Sequence, residues 1–200
     1  MRIYRNGNLG RVYSAVLAVS LIYANAIGQE AAAYKELPNF RKINDQIYGG
    51  GQPRTKGLSK LAELGIKTVV NLRGVDNQTR AEEQEAGVLG LRYYSIPMPG
   101  LARPSDEQVA KVFALLNDQA NWPIFVHCNH GSDRTGTILA CYRISHDRWT
   151  DDRAISEAKQ YGMSWIEFGM RSFVSDYYKK QIGGSENGVK AEAAAPDKPM

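Results

Sequence analysis

The chain has 200 residues, 43% of them hydrophobic, which is enough for one sizeable core. Its 25 Lys and Arg outnumber 21 Asp and Glu, but Arg2, Arg5 and Arg11 all sit at the N-terminus, and without them the balance is near +1. The absence of a Lys/Arg cluster interleaved with aromatics argues against a nucleic-acid partner, and two cysteines argue against a domain built on disulfides.

In chain order, the basic N-terminus leads into an apolar stretch from Val12 to Ile27 that contains Ala24-Asn25-Ala26, a small-x-small cleavage pattern. Residues 1–26 are expected to be a secretory signal cleaved near Ala26, with export to a periplasmic or extracellular location. The stretch is shorter than the ~20 apolar residues a bilayer crossing needs and carries Ser14, Ser20 and Asn25, so no stable membrane anchor is expected. An uncleaved anchor is the alternative. Residues 27–39 read as a linker, 40–182 as one domain, and 183–200, rich in Gly, Ala, Glu, Lys and Pro, as a disordered tail.

Within the domain, Ile47-Tyr48, Thr68 to Leu72, Tyr93 to Pro97 and Ile124 to His127 predict strands. Leu58, Leu61, Ala62 and Leu64 give one helical face closed by Gly65, and Val109, Val112, Phe113, Leu115 and Leu116 give another before Asn121. Ser105 to Gln108 reads as the capping box of that second helix. Helices are expected over Thr137 to Trp149, Asp151 to Gly162 and Trp165 to Ile182. In the last of these Trp165, Phe168, Met170, Phe173 and Tyr177 recur at helical spacing and are expected mostly in the core. The order predicts an α/β layer fold.

The chemistry centres on His127-Cys128-Asn129-His130-Gly131-Ser132-Asp133-Arg134-Thr135. Cys128 stands where an apolar strand ends and a helix begins, a position in which backbone N–H groups and the helix dipole bind an oxyanion. The same field favours the thiolate, which is the nucleophile. Arg134 offers a planar fork for two phosphoryl oxygens. Gly131 suits positive φ, and Gly136 is expected to let the helix start pack against the strand. The Thr135 hydroxyl is expected near the sulfur, where it would steady the departing thiolate, and His127 would orient the loop from behind. Asn129, His130, Gly131, Ser132, Asp133 and Arg134 form the expected phosphate-binding set.

His127, Cys128 and His130 lack the further spaced ligands of a structural zinc site, so neither a metal nor a cofactor is expected. Cys141 lies more than a helical turn beyond the loop and reads as core, and His146 as a partly exposed helical residue.

His-Cys-x-x-Gly-x-x-Arg-Thr-Gly resembles the signature of the cysteine-dependent protein tyrosine and dual-specificity phosphatases. The likeness extends to Tyr48 to Pro53, Gly65 to Arg73 and Tyr94 to Met98, which look like successive elements of the small atypical dual-specificity members, bacterial, plant and fungal. Rhodanese-type loops usually lack this His-Cys start and Arg-Thr-Gly end. The resemblance implies a three-layer phosphatase fold with a central, mostly parallel sheet flanked by helices. It also implies metal-independent hydrolysis of a phosphomonoester through a phosphocysteine intermediate.

In the family the general acid is usually an aspartate on the loop after the third strand. That loop, Met98 to Pro104, has none. Asp133 and Asp106 are the candidates, the first able to act as acid or only to shape the loop, the second explained by the helix cap; a third possibility is that a good leaving group needs no strong acid. A phosphorylated protein or small phosphorylated substrate is expected as partner, with phosphotyrosine or a small phosphomonoester leading. Inositol (pyro)phosphates are an alternative, for which Arg73, Arg103 and Lys56 would surround the entrance. A non-catalytic phosphate-binding module is the other.

Overall fold

The computed structural model describes residues 34–100, 102–166 and 168–193. The signal-like segment and the first residues of the expected linker lie outside the described residues, as do Leu101, Glu167 and the last residues of the tail. No helix among the described residues is long and apolar enough to cross a membrane.

Strands β1 (Arg41–Lys42), β2 (Ile47–Gly50), β3 (Thr68–Asn71), β4 (Arg92–Ser95) and β5 (Ile124–His127) form one sheet in the order β1-β2-β5-β3-β4. β1 pairs antiparallel with β2, and the other pairings are parallel. Strands inside a parallel sheet are covered on both faces, so their sequences run apolar without alternation. β3 and β5 are accordingly buried at every position.

Helices cover both faces. Ile47, Val70, Ile124 and Val126 share a core with α3 (Asp106–Asn117), α4 (Asp133–Asp147), α5 (Asp151–Gln160) and α6 (Phe168–Ala193) through Val112, Leu116, Ile138, Ala154 and Phe173. Val69 and Phe125 alternate to the other face, the side on which α1 (Gly57–Glu63) buries Leu58 and Leu61 and α2 (Asn77–Val88) buries Ala86. This is the expected three-layer α/β architecture. The capping box at α3 is formed as read: Ser105 Oγ accepts from the Gln108 N–H, and the Gln108 side chain accepts from the Ser105 N–H.

Several expectations are corrected. α4 starts at Asp133 rather than Thr137, so the second half of the signature is already its first turn. β1 and α2 had no sequence counterpart; α2 buries only Thr79, Glu82 and Ala86, too few apolar positions to declare a face. The end of the expected linker is packed: Leu37 is buried, and the carbonyls of Glu36 and Pro38 accept from the N–H groups of Arg54 and Gly51. α6 continues to Ala193, so the chain is helical where the tail was expected to begin. Met170 and Phe173 are in the core as expected, but Trp165 and Phe168 are exposed; Trp165 lies before the helix, which begins at Phe168.

Phe125 sits at the middle of the sheet, fully buried between the rings of Phe40 and His127. Phe125→Ala is expected to lower unfolding stability by about 3–5 kcal/mol, measured by urea denaturation.

Candidate active site

Cys128 is the first residue past β5, at the carboxyl end of the sheet where the loops after β3 and β4 also open. It is buried, and the Gly131 N–H donates to its Sγ at 3.3 Å. Gly131 has φ +78°, and a Cβ there would lie 2.4 Å from the carbonyl carbon of Gly50, so only glycine fits.

Three successive loop carbonyls are held by the chain segment around β1 and β2. Asn129 O accepts from the Gln52 N–H at 3.0 Å, His130 O from Asn39 Nδ2 at 3.3 Å, and Gly131 O from an Arg41 guanidinium nitrogen at 2.9 Å. In a trans peptide the N–H points opposite to the C=O. The N–H groups of His130, Gly131 and Ser132 are thereby turned the other way, and the Gly131 bond to sulfur shows which way that is. With the unpaired N–H groups of the first turn of α4, they make an anion cradle around the thiol.

Arg41 is 5% exposed, bonds also to Asn39 O at 3.4 Å, and lies 4.3 Å over the Tyr161 ring. Burial lowers its pKa to about 10, with Tyr161 and Cys128 acting in the opposite sense, so it is a cation at neutral pH. Sequence reading missed it. Arg41 lies 90 residues from Gly131, and no spacing rule connects an edge-strand arginine to a distant loop carbonyl.

Behind the loop, around His127, which was expected there, lie partners that sequence reading missed. His127 is fully buried, with Nδ1 3.2 Å from Cys128 O and its ring stacked on Phe125. Its Nε2 is 3.1 Å from Glu82 Oε1, close enough for an ion pair though not aligned as a hydrogen bond. Glu82 Oε2 accepts from the Tyr93 hydroxyl at 3.0 Å, which in turn accepts from Asn71 Nδ2 at 2.8 Å. Burial pushes the Glu82 carboxyl up, but contact with His127 and hydrogen bonds from Gln52 and Tyr93 outweigh it and hold the carboxyl below the usual range. Burial, then the charge of Glu82, pushes the Tyr93 hydroxyl up.

The remaining expected residues are placed as follows. Arg134 donates to Leu72 O at 3.3 Å, beside the loop that leaves β3. The Thr135 hydroxyl donates to Gly50 O at 3.3 Å, tying α4 to β2. Ser132 is the N-cap residue of α4 and is buried, while Asn129 and His130 are exposed, their side chains 3.1 Å apart. Gly136 packs not on the strand but near Met163 and Ala158, 3.2 and 3.4 Å from where a Cβ would stand.

Both candidate acids are engaged. Asp133 Oδ1 accepts from the Ser164 N–H at 2.8 Å, and Asp106 pairs with Lys180 Nζ at 2.6 Å. Two of the three entrance cations are also engaged. Arg73 binds Gln52, Gln78 and, at 2.8 Å, Asp76, and Arg103 binds Asp176 at 2.7 Å; Lys56 is exposed. Cys141 is buried in the core, where burial pushes its thiol up, and His146 is exposed with Nε2 2.9 Å from Asn117 Oδ1. Among the described residues no group of three His, Cys, Asp or Glu could hold a metal ion.

Two outcomes follow from this geometry. Arg41→Gln removes a charged donor from buried carbonyls and is expected to lose about 1.5–3 kcal/mol of stability in urea melts and to weaken inorganic phosphate binding in titration. The carboxyl of Glu82 titrates lower folded than unfolded, so the stability it adds is present above its unfolded pKa of about 4.3 and is lost as pH falls through the folded value. The stability gap between the native chain and Glu82→Gln is therefore expected to be larger at about pH 7 than at about pH 4.

Comparison with known proteins agrees with this geometry. A family model described as DSP-PTPase phosphatase fused to NAD+ kinase matches residues 27–176. Inositol diphosphatase DSP5 of Arabidopsis thaliana is 26% identical over 151 residues, 70% of this chain and 70% of its own length. Dual specificity protein phosphatase TpbA of Pseudomonas aeruginosa is 29% identical over 134 residues, 66% of this chain and 58% of its own length. In fold, the core catalytic domain of the PP-IP phosphatase SIW14 of S. cerevisiae, solved with citrate, superposes with a TM-score of 0.66 at 23% identity, covering 78% of this chain and 96% of that one. A TpbA structure in complex with pTyr superposes with a TM-score of 0.62 at 24% identity, covering 78% and 98%. With the signature loop folded as a cradle around Cys128 and three quarters of its length matched by the family model, the chain belongs to the DSP-PTPase group of cysteine-dependent phosphatases.

Proposed function

We propose that this chain hydrolyses phosphomonoesters through a phosphocysteine intermediate on Cys128, with a phosphorylated protein as substrate and phosphotyrosine as its leading residue. The observation that carries the reading is the cradle itself, the buried sulfur with loop N–H groups turned toward it and Arg134 in the first turn of α4. The phosphoryl group binds with its oxygens on those N–H groups and on the Arg134 fork, which also favours the charge of the transition state. The Cys128 thiolate attacks phosphorus, the S–P bond forms and the ester O–P bond breaks. Water then attacks phosphorus, the S–P bond breaks, and the departing thiolate is received by the Gly131 N–H.

The leaving oxygen decides the substrate. With Asp133 committed to Ser164 and Asp106 to Lys180, the mechanism favours an oxygen that departs with little protonation, and a tyrosine phenolate does so far better than a serine alkoxide. TpbA, named a dual specificity protein phosphatase and solved with pTyr, supports that choice. A phosphoanhydride also leaves readily, and DSP5 is named an inositol diphosphatase, so inositol diphosphates are the second reading. The engagement of Arg73 with Asp76 and of Arg103 with Asp176 weighs against so anionic a substrate. The basic, then apolar N-terminus supports action outside the cytoplasm.

The test is phosphate release in chelator from an aryl phosphate, a phosphotyrosine peptide and an inositol pyrophosphate. Release is expected from the first two, lost to background in Cys128→Ser while phosphate binding survives, and lowered roughly 10²–10³-fold in Arg134→Lys. Tight phosphate binding with no release from any substrate would leave a binding module instead.

A further inference from the structure

The segment between α5 and α6 departs from what burial rules lead one to expect. Trp165 is 73% exposed, Ile166 58% and Phe168 67%, three large apolar side chains within four positions. Contiguous exposed apolar surface on an otherwise well-packed domain marks a site of interaction. The segment is also held in place. Besides the Ser164 bond to Asp133, the Ile166 N–H donates to Ser164 Oγ at 3.3 Å, the Phe168 N–H to Ile166 O at 2.8 Å, and the Arg171 guanidinium to Trp165 O.

Its position is fixed at both ends. Asp133, inside the signature, accepts from Ser164, and a Cβ on Gly162 would lie 3.6 Å from Ser132 Oγ. At the other end, a Cβ on Gly169 would lie 2.9 Å from the Arg103 backbone nitrogen. The segment thus spans from the loop after β5 to the loop after β4, and both open at the carboxyl end of the sheet, where the cradle lies. Whatever presents a phosphoryl group to Cys128 approaches at this end.

Resting on the phosphatase reading above, we propose that Trp165 and Ile166 form a substrate-docking lip that receives an apolar side chain next to the phosphorylated residue of a polypeptide. The lip presents carbon, not charge. Both arginines beside it are engaged, Arg103 with Asp176 and Arg171 with Trp165 O and the Phe168 ring at 4.9 Å. A polyphosphate or an anionic lipid surface would call for free cations here. A peptide with an aliphatic or aromatic neighbour to its phosphotyrosine matches both the cradle and the lip.

Two phosphotyrosine peptides differing only in Leu or Ser beside the phosphotyrosine, together with a small aryl phosphate, test this on the native chain and on the double variant Trp165→Ala/Ile166→Ser. The native chain is expected to prefer the Leu peptide about tenfold in kcat/KM. The double variant is expected to lose that preference while turning over the aryl phosphate within about twofold of native, since surface substitutions of this kind seldom disturb the fold. Equal rates on both peptides by the native chain, or a preference that survives in the variant, would overturn the lip. So would a variant whose peptide preference is intact but which no longer binds phosphatidylcholine vesicles that the native chain binds. Failure of the native chain to release phosphate from the aryl phosphate would instead strike at the phosphatase reading.

Discussion

A phosphate cradle made of backbone requires that its own carbonyls be satisfied elsewhere. A loop whose C=O groups faced inward would repel the anion, and one whose C=O groups were buried without partners would not persist. Here the carbonyls of Asn129, His130 and Gly131 are held by Gln52, Asn39 and Arg41. The same segment supplies the glycines that let the loop approach: a Cβ on Gly51 would lie 3.0 Å from the His130 carbonyl carbon. Sulfur, cradle and the segment around β1 and β2 that holds its carbonyls are therefore one unit, in which the edge hairpin of the sheet sets the direction of the N–H groups in the loop.

Behind the cradle the sheet contributes polar groups where its sequence is otherwise apolar. Asn71 at the end of β3 and His127 at the end of β5 are adjacent in register, and both are fully buried. Two such groups in a core need partners, and α2 and β4 supply them as Glu82 and Tyr93. This explains why α2 is so polar: its one buried carboxylate is committed inward, and the rest of the helix needs little apolar surface. The ends of β3 and β5 are held in register by this network in addition to the ladder, and Leu72 and Cys128 follow directly from those ends.

What could be read in the sequence was local. The signature, its flanking strand and the Ser105 cap depend on neighbours in the chain, and each appears where the residues place it. What could not be read depends on distant pairing. Arg41 looks like an ordinary basic residue until the loop carbonyl is set beside it, and Glu82 looks like one of several acids in a charged stretch. Trp165 shows a different failure, because helical spacing assigns a face only to residues inside the helix. α6 starts at Phe168, so Trp165 lies before it and the periodicity that buries Met170 and Phe173 does not extend back to it.

The carboxylates show how the fold constrains the chemistry. In a site with a free acid, the leaving group is protonated as it departs, and alkoxides and phenolates both serve. Asp133 instead accepts from the Ser164 N–H, and that bond positions the apolar lip beside the cradle. The signature residue closest to a plausible proton donor is thus engaged in holding the surface over which a substrate would lie. Its neighbours in the chain follow the same pattern, with Thr135 bonded to Gly50 and Arg134 resting on Leu72. Of these, only Arg134 can be drawn from its resting partner by a stronger one, because a guanidinium gains more from a phosphoryl oxygen than from a neutral carbonyl. On the phosphatase reading proposed above, the cradle captures the phosphoryl group firmly and lends the leaving oxygen little help, a balance that suits a phenolate.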